Sequence, residues 1–71
     1  MTKKPAIRQK FRSGNRVEVY FQETRSGVVE AIAEWDNAPS TQDLRDYQRL
    51  VAPRLPATLA RFQREKAAIF N

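Results

Sequence analysis

The residue types that this chain lacks narrow the chemistry that it could carry out. Its 71 residues include no histidine and no cysteine. The sequence therefore offers no imidazole for proton transfer, no thiol nucleophile and none of the usual zinc ligands. Glu30 and Glu34 are the one suggestive carboxylate pair, but such a pair is usually solvated, and neither glycine lies in a phosphate-binding motif. We predict a binding protein and not an enzyme, with no metal, cofactor or small-molecule substrate.

Positive charge gathered at the N-terminal end is the strongest functional feature of the sequence. The formal net charge is +5, and the first 16 residues hold six cations and no acid. The remaining 55 residues hold seven cations and eight acids, which is close to neutral. A basic segment attracts anionic partners over about one Debye length, roughly 8 Å in cellular salt. We predict that residues 1–13 form a flexible basic arm that orders on contact with an acidic groove or a nucleic acid.

Residues outside the arm extend the candidate binding surface. Tyr20 falls on the polar side of an alternating segment, where its ring could stack on a base or pack across a strand pair. Arg54, Arg61 and Arg64 could contact phosphates if the C-terminal part formed a helix-turn-helix; an αα-hairpin packed on the sheet is the alternative. The full set of predicted partner-binding or nucleic-acid-binding residues is Lys3, Lys4, Arg8, Lys10, Arg12, Arg16, Tyr20, Arg54, Arg61 and Arg64.

Alternating hydrophobicity predicts the elements that must position these residues. A turn cluster at residues 13–15 precedes Val17, Val19 and Phe21, which alternate with polar residues as in a half-buried strand. Residues 28–35 fit a strand or a helix, and the preceding Gly27 favours the strand. We therefore predict a β-hairpin over about residues 16–35.

The same region carries a resemblance to a known architecture. Residues 14–19 (GNRVEV) followed by residues 26–29 (SGVV) resemble the strand–turn–strand opening of KOW-type and other SH3-like small barrels. The resemblance covers about 20 residues and implies only the hairpin. The rest of the chain departs from that family, because it has the pattern of helices and not of three further strands.

Helical periodicity follows in the C-terminal half. Ser40 or Thr41 is a suitable N-cap, with Asp43 in the first turn opposing the helix dipole. We predict one helix over about 41–52 that ends before Pro53, and a second over about 56–69 that begins with Pro56. The predicted fold is α+β, with residues 14–71 as one small domain.

The apolar positions of these elements give a predicted core. A domain of this size has little hydrophobic surface to spare, and without cysteine it has no disulfide to help. The core members predicted are Val17, Val19, Phe21, Ile32, Trp35, Leu44, Tyr47, Val51, Leu59, Phe62 and Ile69.

Size, composition and charge together suggest a class of function. We predict a small regulatory protein of phage or mobile-element type, located in the cytoplasm, that docks on an acidic protein surface of a host nucleic-acid machine and modulates or inhibits it. That machine could be a polymerase, a repair complex or a defence nuclease. Direct DNA or RNA binding is the first alternative, and a structural protein that self-associates through its C-terminal helix is the second. We predict no membrane association and a monomer or weak homo-oligomer.

Overall fold

The protein has an α+β fold in which a three-stranded antiparallel sheet precedes a bent helix. The structure is a computed structural model that describes residues 4–70, with side chains described for residues 4–66. The strands are β1 (Ile7–Lys10), β2 (Arg16–Glu23) and β3 (Val29–Trp35), in the spatial order β1-β2-β3. The helix, α1, consists of a first limb (Thr41–Leu50), a 3-10 turn (Ala52–Arg54) and a second limb (Leu55–Phe70). The predicted α+β class and the hairpin, including the strand choice for residues 28–35, are confirmed.

The register of the sheet separates an apolar face from a polar one. Val19 lies opposite Ile7 on β1 and opposite Ala33 on β3, and Val17 lies opposite Trp35. Successive side chains of a strand point to opposite faces, so these residues share one side, which the helix covers. The residues between them form the other side, which we call the open face. Its members in the three strands are Arg8, Lys10, Arg16, Glu18, Tyr20, Gln22, Glu30, Ile32 and Glu34.

The position of β1 corrects the prediction of a separate basic arm over residues 1–13. Residues 7–10 pair with β2, and Ile7 and Phe11 are 2% and 4% exposed. The Phe11 ring stacks on Trp35 with centroids 5.3 Å apart. Burial of these two large apolar side chains holds the segment against the fold, so the arm prediction is wrong for residues 7–13. Lys3 lies outside the described residues.

The two helices predicted separately are limbs of one bent helix. Val51 and Leu55, on either side of the 3-10 turn, both keep right-handed helical dihedrals. The amide of Arg54 donates to the carbonyl of Val51 at 2.9 Å, which is the tighter pairing of a 3-10 turn. Pro53 removes one helical donor and its ring crowds the preceding turn, which bends a helix without necessarily ending it. The prediction of two separate helices is therefore wrong.

The hydrophobic core is smaller than predicted and lies nearer the N-terminus. Val17, Val19 and Val51 are buried as predicted, and Ile7 and Phe11 join them unpredicted. The half-buried members of the predicted core are Phe21, Ile32, Trp35, Tyr47, Leu59 and Phe62, of which Ile32 lies on the open face. The prediction is wrong for Leu44, which is 49% exposed, because the first limb buries its Asp43 and Asp46 side instead. The side chain of Ile69 lies outside the described residues.

The apolar stripe of the second limb is used within the protein. Leu55 packs against the core, and the Phe62 ring lies 5.5 Å from that of Phe21. Further along, Lys66 forms an ion pair with Glu23. The described part of the stripe is therefore engaged with the sheet, which weakens the argument for self-association through this helix.

Candidate functional site

Three cations converge at the end of the open face nearest the β1–β2 turn. Lys10 lies directly opposite Arg16, and Arg8 lies opposite Glu18 in the next row. Directly opposed residues of an antiparallel pair have Cβ atoms about 4.5–5.5 Å apart, so the three cationic side chains are neighbours. They line an open depression of about 460 Å³. We call Arg8, Lys10 and Arg16 the cationic corner.

The ion pairs at this corner leave donors available for another anion. Arg8 Nε lies 3.5 Å from Glu18 Oε2, and Arg16 Nε donates to Asp36 Oδ2 at 2.8 Å. Both contacts use Nε, and a guanidinium carries four further N–H donors. Lys10 has no ion pair within residues 4–66. Opposed like charges destabilise a strand pair, so folding alone does not favour Lys10 opposite Arg16.

The opposite half of the open face is acidic. Glu34 lies directly opposite Glu18, and Glu30 lies four residues before Glu34 on the same side of β3. We call Glu18, Glu30 and Glu34 the acidic patch. Asp36, just beyond β3, continues this face opposite Arg16, so three cations meet four acids and the formal charge is −1. The charges are segregated, with cations toward β1 and acids toward β3. Such a surface is complementary to a partner that also carries both signs.

Tyr20 lies within the acidic patch, between the row of Glu18 and Glu34 and the row of Glu30, and has an intramolecular role. It is half-buried opposite Ile32, and its hydroxyl donates to Glu18 Oε2 at 3.4 Å. Partial burial raises the pKa of the Tyr20 hydroxyl, and the charges of Glu18 and Glu34 raise it further. Cross-strand packing accounts for this residue, and the flanking carboxylates would repel the phosphates of a nucleic acid stacked there.

A buried polar cluster fixes the turn that carries the corner. Asn15 and Asp43 are 6% and 3% exposed. Asp43 accepts from Ser13 Oγ at 2.7 Å and from Asn15 Nδ2 at 3.1 Å, while Asn15 Oδ1 accepts from the amides of Arg16 at 3.0 Å and Asn37 at 3.1 Å. The hydrogen bonds from Ser13, then Asn15, lower the pKa of the Asp43 carboxyl. The turn before Arg16 is thereby tied to the start of the helix.

The helix start that receives this cluster has a complete cap. Ser40 is the N-cap, its hydroxyl accepts from the Asp43 amide at 3.1 Å, and Asp43 Oδ2 accepts from the Ser40 amide at 3.1 Å. Asp43 thus closes a capping box and also holds the β1–β2 turn. The predicted cap is confirmed, whereas the burial of Asp43 was not predicted.

Arg12 lies outside the cationic corner and pairs with a buried acid. Its Nη2 lies 3.3 Å from Oδ1 of Asp46, a carboxylate that is only 3% exposed. Burial alone would raise the pKa of Asp46, but hydrogen bonds from Gln42 and Arg12, together with the charges of Arg12 and Arg49, lower it. The predicted binding residue Arg12 is therefore a partner of a buried acid, although its own side chain is 72% exposed.

The other predicted cations lie apart from the cationic corner. Arg61 donates to Glu65 at 3.2 Å and, with Lys4 and Phe62, lines a separate depression of about 370 Å³. Arg54 is exposed in the 3-10 turn, and Arg64 is exposed on the second limb. Since the helical segment bends without an intervening loop, the helix-turn-helix arrangement that would group these arginines is absent from residues 41–70.

Comparisons with known proteins return no relative. No protein-family model, no curated protein and no solved structure matches the chain. Within the described part of the chain, no helix has the length and apolar character to cross a membrane. The described residues contain no cluster of three His, Cys, Asp or Glu side chains that could hold a metal ion.

Sequence reasoning missed strand β1 and the contacts that hold the cationic corner in place. Ile7, Gln9 and Phe11 alternate with Arg8 and Lys10, which is the period of a strand, but five residues are too few to stand out against the charge run. Asp36 carried no pattern signal and Asn15 was identified only as part of a turn cluster, because their roles depend on contacts across 20 and 22 residues of chain.

Proposed function

We propose that this chain is a non-enzymatic binding protein that docks on an acidic protein surface through the cationic corner. The observation that carries the proposal is the placement of Lys10 directly opposite Arg16, beside Arg8, at the mouth of an open depression. Repulsion between these cations lowers the stability of the isolated fold, and an anion bound between the three side chains would relieve that repulsion.

The segregated charge of the open face favours a protein partner over a nucleic acid. A nucleic acid presents a uniform row of negative charge, and its continuation across the sheet would meet Glu18, Glu34 and Glu30. An acidic side chain of a protein needs only the cationic corner, and basic residues beside it would suit the acidic patch. Mixed charge of this kind specifies a partner and orients it, more than it adds raw affinity.

The partner class that we propose is a component of a nucleic-acid machine in the cytoplasm. Size, composition and basic charge support this choice by analogy with small regulators of such machines. Occupying an acidic surface of a polymerase, repair complex or nuclease would modulate or inhibit it without catalysis by this chain.

The test compares two charge reversals of equal size. Lys10→Glu reverses a charge at the cationic corner, whereas Arg25→Glu reverses one in the exposed β2–β3 turn. Each protein and the wild type are immobilised and exposed to lysate of the source cells, with and without prior nuclease digestion, and the retained proteins are identified. We expect the wild type and Arg25→Glu to retain the same protein, and Lys10→Glu to lose it.

Two outcomes contradict the proposal. Retention that is equal in all three proteins places the interaction elsewhere on the surface. Retention that disappears when nucleic acid is digested shows that the captured protein was bridged by DNA or RNA.

Direct nucleic-acid binding is the second candidate, because Arg8, Lys10, Arg12 and Arg16 all project from one hairpin with largely exposed side chains. It requires affinity for random-sequence DNA or RNA that falls by about two orders of magnitude or more between 50 and 200 mM salt. Fluorescence anisotropy with labelled single- and double-stranded oligonucleotides measures this directly. Absence of binding at 50 mM salt eliminates this candidate.

A further inference from the structure

The outer edge of β3 presents a row of backbone groups without a strand partner. The amide of Asp36 donates to Arg16 and that of Thr24 to Val28, which makes 16/36 and 24/28 hydrogen-bonded pairs in the β2–β3 register. Hydrogen-bonded pairs alternate with non-hydrogen-bonded pairs along an antiparallel ladder, so the pairs 18/34, 20/32 and 22/30 are hydrogen-bonded as well. The even-numbered residues of β3 therefore face β2, and the N–H and C=O groups of the odd-numbered ones face outward. Those outward residues are Val29, Ala31, Ala33 and Trp35.

This edge has less protection against pairing than the other edge of the sheet. β3 has seven residues and contains no proline and no lysine, and its only charged side chains are Glu30 and Glu34. β1, the other edge, is four residues long, follows Pro5 and carries Arg8 and Lys10. Short length, proline and charged side chains are common protections against pairing, and β3 has only the two acids, which do not repel a basic segment. Within residues 4–70, the sheet gives β3 no neighbour on its outer side.

The side chains beside the edge define what could pair with it. On the helix-covered side, Ala31 and Ala33 are exposed and small, so a β-branched side chain would fit next to them. On the open face, Glu30 and Glu34 flank Ile32. An incoming strand would therefore place residues opposite two acids four positions apart, with an apolar residue midway.

A second copy of the chain does not meet this requirement. Antiparallel pairing of two β3 strands about a two-fold axis through Ile32 sets Glu30 of each copy against Glu34 of the other. Shifting the register by two residues toward the C-terminus sets Glu30 against Asp36 instead. Opposed like charges destabilise both arrangements. The opposite shift sets Glu30 against Ile32 and Glu34 against Val28, so it offers neither acid a basic partner.

We propose that the β3 edge binds an extended segment of a partner protein that carries basic residues four positions apart around an apolar residue. The segment adds a fourth strand to the sheet: backbone hydrogen bonds to the outward residues supply affinity, and Glu30 and Glu34 select for basic side chains. This surface lies at the opposite edge of the sheet from β1 and does not depend on the cationic corner.

The test uses a nine-residue peptide with lysines four positions apart, a valine midway and threonines elsewhere. A matched peptide has glutamates in place of the lysines, and another is N-methylated at alternate backbone amides, so that it cannot donate along one edge. Titration is followed by amide hydrogen exchange in the full-length protein. We expect the lysine peptide to slow exchange at Ala31 and Ala33 and to leave Ile32, whose amide is already paired, unchanged. The two matched peptides should have no effect.

Variants of the protein separate backbone pairing from charge. Ala33→Pro removes an outward N–H and no β2–β3 hydrogen bond, which an edge strand tolerates, and it should weaken binding by about tenfold or more. Glu30→Gln with Glu34→Gln should weaken binding roughly twofold to thirtyfold at low salt. Glu65→Gln removes a carboxylate from the second limb and should change nothing.

The outcomes distinguish the proposed occupant from the others. The proposal is overturned if the glutamate peptide binds as well as the lysine peptide. It is also overturned if the N-methylated peptide binds as well as the unmodified lysine peptide. Protection of Ala31 and Ala33 that rises with protein concentration in the absence of peptide assigns the edge to a second copy and also overturns it. If Ala33→Pro does not fold, the comparison of the lysine peptide with its N-methylated form still decides.

Discussion

Replacement of Phe11 by alanine tests whether the N-terminal cations belong to the fold or to an arm. Phe11 immediately follows β1, is 4% exposed and stacks on Trp35 with centroids 5.3 Å apart. If this description is correct, Phe11→Ala removes a central member of the core. If residues 1–13 were an independent arm, the same change would leave the folded body intact.

The expected loss is large relative to the stability of so small a domain. Truncation of a buried phenylalanine costs about 3–5 kcal/mol, and part of that is the stacked pair with Trp35. A 71-residue domain has a free energy of unfolding of about 4–11 kcal/mol. Phe11→Ala should therefore remove about a quarter or more of the stability and lower the thermal midpoint by about 12–40 °C.

Urea denaturation followed by fluorescence and circular dichroism measures this loss. Trp35 is the one tryptophan of the chain, and it reports from the site of the substitution. Val28→Ala is the matched control, because Val28 is 57% exposed in the β2–β3 turn and its truncation should cost less than about 0.5 kcal/mol. A Phe11→Ala free energy within that same margin of wild type would refute the placement of β1, and with it the cationic corner.

Three further predictions concern charge and backbone geometry. Because hydrogen bonds hold the pKa of Asp43 below its ordinary value of 3.8, its contribution to stability is complete above that value and is lost as pH falls through the lower folded pKa. The thermal midpoint should therefore fall as the pH is lowered below 3.8, less steeply in Asp43→Asn than in the wild type; equal slopes contradict this role. Lys10→Glu should leave the free energy of unfolding unchanged or raise it by about 0.2–1 kcal/mol, since it relieves the opposition to Arg16, whereas a measured decrease would show that the pair stabilises the sheet. Gly27→Ala should lower the free energy of unfolding by roughly 1–2 kcal/mol in urea denaturation, because Gly27 has φ +86°, which favours glycine. An added Cβ would contact no other atom, so only this backbone penalty acts, and an unchanged free energy would reject the conformation.

The fold was predictable where local pattern and local chemistry agree. Alternation from Val17 to Phe21 identified β2 and its buried face, and Gly27 with the valines after it identified the turn into β3. Ser40 with Asp43 identified the helix start, because a capping box needs only residues three apart.

The candidate site was predictable only in part. Arg8, Lys10 and Arg16 were identified as binding residues from charge alone, and the structure places them together. Arg12 was assigned to the same role, but it pairs with the buried carboxylate of Asp46 and lies outside the cationic corner. The C-terminal arginines were grouped by a helix-turn-helix that the bent helix does not form.

What the amino-acid sequence determined by itself is the strand character of β2 and β3, the helical character of the C-terminal half, the excess of N-terminal charge and the absence of histidine and cysteine. What only the tertiary structure decided is which cations stay available, because that depends on acids 20 to 34 residues away along the chain, such as Asp36 and Asp46. Ile7 and Phe11 illustrate the same point: two apolar residues among cations show no clear strand pattern, yet a strand edge and an aromatic partner from β3 suffice to bury them. Pairing across a sheet is a non-local interaction, and it overrides the local preference of a short charged segment for water.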